Sequence, residues 1–120
     1  MVLWNRSQIP FVWGDLTLVF VWSISLIDYQ EGLEGIAAGQ TIVVLFWLHK
    51  SSRDILKVYP RGDKSKGLRG VFATRSPVRP NPIAISELKV LTINGNHLEV
   101  SGLDILDGTP IIDIKKKISY

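Results

Sequence analysis

In residues 70–86, GVFATRSPVRPNPIAIS, prolines occupy positions 77, 80 and 82. Each proline fixes its own φ, lacks a donor N–H and pushes the residue before it towards an extended conformation. A helix or a central strand is therefore excluded here, and the stretch must be a stiff loop. Arg75, Arg79 and Asn81 are carried on it. A stiff loop bearing charged and amide side chains is a good frame for holding a ligand. The apolar runs 71–73 and 83–85 are expected to be strand ends that anchor the loop.

The rest of the chain reads as strands around this loop. Residues 16–27, LTLVFVWSISLI, are rich in β-branched and aromatic types and predict a long strand. Alternation puts Leu16, Leu18, Phe20, Trp22, Ile24 and Leu26 on one face. Residues 41–49, TIVVLFWLH, form a continuous apolar run, read as a strand covered on both faces, with a buried helix as the competing reading. Asn94-Gly95 between runs 88–93 and 97–103 is a hairpin signal. Residues 28–39 are the one short helical or turn segment, with Asp28 as N-cap and Glu31 three residues on as in a capping box. Its glycines at 32, 35 and 39 keep it short. Residues 1–15 show no clear period. Five or six strands without alternating helices exclude a parallel βαβ fold. The expectation is a mainly β, single-domain, partly open barrel with one short helical segment, spanning residues 1–120.

Composition narrows the chemistry. With no cysteine, disulfides and thiolate metal sites are excluded, and a reducing cytoplasm is compatible. Two histidines, His49 and His97, are too few for a histidine-rich metal site. No segment reaches the roughly 18 uninterrupted apolar residues of a membrane span, so no membrane partner is expected. Charge is unevenly spread. Between Lys50 and Arg79 nine basic residues face only Asp54 and Asp63, a formal +7, while the remaining five basic and nine acidic residues give −4. That asymmetry suggests a polyanionic partner, nucleic acid first; a solvated surface loop is the plainer alternative.

Catalytic signatures are sparse. Asp104 and Asp107 flank a turn, but Asp-Gly-Thr-Pro is turn chemistry in any protein and no third carboxylate lies nearby in sequence to complete a metal site. No Ser-His-Asp arrangement can be argued, and Gly32-Leu33-Glu34-Gly35 does not match a dinucleotide-binding glycine motif. His49, at the end of the apolar run, is either a satisfied core-edge histidine or a ligand contact; His97, just after the hairpin turn, is expected to be exposed. The residues alone lead to a small β domain with a rigid Arg/Asn/Pro loop and a basic flank, built to bind something anionic.

Two long motifs also carry a family resemblance. GVFATRSPVRPNPIAIS at 70–86 and GLDILDGTPIIDIK at 102–115, with EGLEGI at 31–36 and VVLFWLH at 43–49, resemble the TsaA-like, or TrmO, family. These are S-adenosylmethionine-dependent tRNA methyltransferases with a YaeB-like β-barrel. The resemblance covers residues 31–117. It implies a cytoplasmic homodimer that methylates N6 of a threonylcarbamoylated adenosine next to the anticodon, with the tRNA anticodon arm as partner. It implies cofactor contacts from His49, Lys50, Arg75, Ile85, Ile105, Leu106 and Asp107, with Thr74, Arg79, Asn81 and Asp104 as loop-shaping or supporting residues. The basic segment, Arg53, Lys57, Arg61, Lys64, Lys66 and Arg69, would then hold the RNA phosphates. No catalytic residue is named, because methyl transfer from a sulfonium needs alignment more than a strong base. A non-catalytic cofactor- or RNA-binding module of the same fold, or a small-molecule methyltransferase, are the alternatives. The chain departs from the family pattern at its N-terminus, where Ile9-Pro10-Phe11-Val12 stands in place of a Pro-Arg-Gln segment, and at Ala84, Lys116 and Lys117.

Overall fold

The structure is a computed structural model that describes residues 3–13, 17–26, 28–101 and 109–118, with side chains described from residue 23 onward within those spans. In chain order the strands are β1 (Leu3–Trp13), β2 (Thr17–Ser25), β3 (Thr41–Trp47), β4 (Lys57–Val58), β5 (Arg69–Gly70), β6 (Ile83–Asn94), β7 (His97–Ser101) and β8 (Pro110–Lys116). They fall into two compact units, one of residues 1–46 and 85–120, the other of residues 47–84.

The first unit is the expected β-barrel. Its strand order is β1-β2-β7-β6-β3-β8, closing back onto β1. The β1–β2 ladder runs from Trp4↔Ser25 to Trp13↔Thr17, with a register shift between Arg6 and Gln8. Among the described residues the β1–β8 seam holds only Leu3↔Ile111 and Trp4↔Pro110. Pro10, which the sequence left unassigned, lies within β1 and is paired with Phe20 of β2.

Alternation sorts the core. In β3 the burial is strictly alternate, with Ile42, Val44 and Phe46 buried and the intervening residues half-buried. The expectation of a strand covered on both faces therefore holds fully for one face only. Ile24, Leu26, Leu33, Leu88, Val90, Leu98, Val100 and Ile111 are buried with them. Each such side chain removed from water is worth about 1.5–3 kcal/mol before the entropy of ordering it. The β6–β7 hairpin forms where Asn-Gly predicts it, pairing Asn94 with His97 around Gly95 and Asn96. Gly95 has φ +61, which glycine adopts without steric cost.

Two local expectations fail. Asp28 does not cap a helix. Its φ is +74, and the 3₁₀ turn that follows, Gln30–Leu33, starts from Tyr29 with no side-chain cap. Tyr29 N donates to Leu26 O at 3.0 Å, closing a four-residue turn with Asp28 left-handed at its third position, a conformation that aspartate tolerates better than most. Residues 71–73 are likewise not a strand end. They form a single 3₁₀ turn, Val71–Ala73, with Val71 buried and Phe72 turned out to solvent.

Candidate functional site

The second unit carries the basic segment and almost all of the proline loop. Leu48 N donates to Pro82 O at 2.8 Å, and Arg79 N donates to Ser52 O at 3.3 Å, so the two halves of the unit are bonded through their backbones. Its one ladder is β4 against β5, Lys57↔Gly70 and Val58↔Arg69, extended by Val71 N donating to Leu56 O at 2.9 Å.

The loop is held by side chains donating to its carbonyls, as expected where prolines have removed N–H groups that would otherwise pair. Arg79 Nη1 donates to Thr74 O at 3.3 Å and to Ser76 O at 3.2 Å, and its Nη2 donates to Val71 O at 3.2 Å. Thr74 Oγ1 donates to Val71 O at 2.8 Å and accepts from Ser76 N at 3.1 Å. Ser76 Oγ accepts from Val78 N at 3.2 Å. From the other side Arg53 Nε donates to Pro80 O at 2.8 Å and its Nη2 reaches Asn81 Oδ1 at 3.4 Å. The same guanidinium lies 5.5 Å from the Trp47 ring centroid, within cation–π range. Arg53, expected among the phosphate contacts, is exposed, and its guanidinium is bonded to the proline loop.

Arg75 differs from both. It is exposed, and among the described residues no hydrogen bond or ion pair engages its guanidinium. Four residues apart, one arginine fastens the loop and the other has no partner among the described residues. His49 and Lys50 lie in the same unit, in the turn after β3, and both are exposed and free of side-chain partners among the described residues. Ile85 belongs to the first unit. It lies on the outward face of β6, 45% exposed, beside the similarly exposed Ile83 two residues before it. Asp104, Ile105, Leu106 and Asp107 fall outside the described residues.

The remaining basic candidates are all exposed. Lys57 is on β4, Arg69 on β5, Arg61 in the 3₁₀ turn Pro60–Gly62, and Lys64 and Lys66 in the 3₁₀ turn Lys64–Lys66. Among the described residues the ion pairs are Lys115–Asp113 and Lys117–Glu87, so none neutralises this group. Asp63 is spent on turn geometry. Its Oδ1 accepts from Ser65 Oγ at 2.6 Å and from Ser65 N at 3.0 Å. Those bonds, the hydroxyl first, hold its carboxyl below the usual aspartate range. Among the described residues no group of three or more His, Asp or Glu could hold a metal. No helix there is long and apolar enough to cross a membrane.

Phe72 was not singled out by sequence, where it falls in a run expected to be a strand end that anchors the loop. It is 77% exposed. Nothing in the local pattern VFA tells which of Val71 and Phe72 turns inward.

Comparison with known proteins places these features. Residues 19–120 match the family model described as tRNA-methyltransferase O N-terminal domain. A protein of Archaeoglobus fulgidus named S-adenosyl-L-methionine-binding protein is 49% identical over 89 residues, covering 74% of this chain and 63% of the relative. The probable S-adenosyl-L-methionine-binding protein VirR of Rhizobium radiobacter is 48% identical over 111 residues, covering 92% of this chain and 62% of VirR. A crystal structure of TrmO from Pseudomonas aeruginosa superposes with a TM-score of 0.68 at 26% identity, over 98% of this chain and 53% of that one. The chain thus spans about half the length of the solved TrmO and somewhat under two thirds of these two relatives.

Proposed function

Because this chain belongs to the tRNA-methyltransferase O N-terminal domain family, we propose that it binds S-adenosylmethionine and is a cytoplasmic, homodimeric methyltransferase acting on tRNA. The acceptor we propose is N6 of a threonylcarbamoylated adenosine beside the anticodon. Relatives named for S-adenosylmethionine binding support the cofactor, and the family's description supports the tRNA.

The observation that carries the cofactor reading is the division of labour between Arg79 and Arg75. Arg79 is engaged by three loop carbonyls. Arg75, on the segment it fastens, is exposed and has no partner among the described residues, and the carbonyls of Thr74 and Ser76 on either side of it are held by Arg79. A planar guanidinium held in this way suits a carboxylate, which it meets bidentately. The residues of the second unit fit the cofactor's chemistry: Arg75 for its carboxylate, and the exposed imidazole and ammonium of His49 and Lys50 for polar contacts. When bound, S-adenosylmethionine supplies an electrophilic methyl on a sulfonium. The chain's part is to orient the acceptor amine in line with it and to exclude water, and no strong base is demanded. The basic group at Lys57, Arg61, Lys64, Lys66 and Arg69 is suited to the phosphates of the anticodon arm.

Titration calorimetry with S-adenosylmethionine and S-adenosylhomocysteine tests the reading. Arg75→Ala is expected to weaken binding about 25-fold, which corresponds to about 2 kcal/mol for a charge-assisted pair. An affinity within twofold of wild type would move the carboxylate site elsewhere, and no heat with either compound would end the enzyme reading. Transfer of a labelled methyl group to total tRNA then distinguishes the proposed substrate from a small molecule or from binding without turnover.

A further inference from the structure

We propose that Phe72 is a stacking platform for an unpaired nucleobase, so that the second unit grips RNA by a base as well as by phosphates. This rests on the RNA reading above and extends it to a residue for which no role has been assigned.

Phe72 is the most exposed large apolar side chain among the described residues, at 77%. It is presented from a rigid support. Val71 beside it is buried, and Val71 O accepts from Thr74 N, Thr74 Oγ1 and Arg79 Nη2. A phenyl ring pinned at its backbone on one side and open to water on the other has lost chain entropy without gaining burial. The missing burial points to a molecule that covers it.

Charge selects the occupant. The unit holding Phe72 has nine basic residues against two aspartates, a formal +7. Arg69, one of the cations proposed for phosphates, lies three residues before Phe72 and is exposed. Leu56, 62% exposed, is backbone-bonded to Val71, and Lys57 pairs with Gly70 on the adjoining ladder. A second copy of this chain docked on the same surface would bring like charge to like charge. An unpaired RNA segment brings phosphates for the cations and a π-face for the ring, the combination that single-strand binders use.

The test uses fluorescence anisotropy with two labelled RNAs of equal length, a hairpin with an unpaired loop and a fully paired duplex. Phe72→Ala is expected to weaken hairpin binding about tenfold or more, as loss of one base–aromatic stack would. Duplex binding should change less than about twofold. Stacking releases no counterions, so the salt slope for the hairpin should stay at the wild-type value, whereas Arg69→Gln should reduce it and weaken both RNAs. Phe72→Trp should restore hairpin affinity, which a folding defect in Phe72→Ala would not predict. Equal losses on both RNAs, or no loss on the hairpin, overturn the stacking role while leaving RNA binding standing. A wild-type dimer that Phe72→Ala dissociates in sedimentation equilibrium overturns it in favour of a contact between copies. Wild-type protein that binds neither RNA at low salt ends the RNA reading and this inference together.

Discussion

Replacing Arg79 should loosen the proline loop without touching a ligand. In Arg79→Ala three donated bonds are lost, at 3.2, 3.2 and 3.3 Å. A net contribution of about 0.5–1.5 kcal/mol each is typical. These bonds sit at the long end of the useful range and the side chain is only half-buried, so the sum is about 2 kcal/mol. Val71 O keeps the Thr74 amide and hydroxyl as donors, so the carbonyls that lose a donor outright are those of Thr74 and Ser76. The consequence is local opening, best read by amide hydrogen exchange at Thr74, Ser76 and Val78, each of which donates within the loop. Exchange there should speed up about 30-fold, the equivalent of about 2 kcal/mol. Arg79→Lys should recover less than half of that, because a single ammonium on a flexible stem cannot fork across three carbonyls. Arg75→Ala should leave the same amides within about twofold of wild type. Unchanged exchange in Arg79→Ala, or an equal acceleration in Arg75→Ala, would refute the assignment of one arginine to the loop and the other to a ligand.

Two further outcomes concern stability. Leu98, fully buried on β7 opposite Ile24 and Ile93, should cost about 2–5 kcal/mol when cut to alanine, read as a lower midpoint in urea with an unchanged slope. Asp113 titrates low, held mainly by the Lys115 ammonium at 2.8 Å and helped by the Ile114 amide. Its folded pKa lies below its unfolded one, so its contribution is present above about pH 4 and is lost as pH falls through the folded value. Both side chains are about half exposed, which holds the contribution below about 1 kcal/mol. Asp113→Asn should therefore lower the melting temperature slightly at pH 7, and the difference should vanish by about pH 2; a difference that persists in acid would exclude this origin.

The strands and the stiff loop were legible because they are set by neighbours in sequence. Three prolines in six positions forbid regular structure whatever surrounds them, Asn94-Gly95 closes a hairpin locally, and the alternation that predicted Ile24 and Leu26 as buried is a property of the strand itself. Tertiary structure decided what local pattern leaves degenerate. β1 runs through Pro10, where the pattern of residues 1–15 shows no clear period. Asp28 turned left-handed to reverse the chain instead of capping a helix. Phe72 went outward and Val71 inward, although both are apolar. Arg53, Arg75 and Arg79 are chemically identical, and composition made all three candidates for an anion. Which guanidinium is consumed depends on which carbonyls folding brings near it. Arg53 finds Pro80, 27 residues away, Arg79 finds Val71, eight away, and Arg75 has no partner among the described residues. A hydrogen bond across such separations is fixed by the packed chain, not by the residues that flank the side chain.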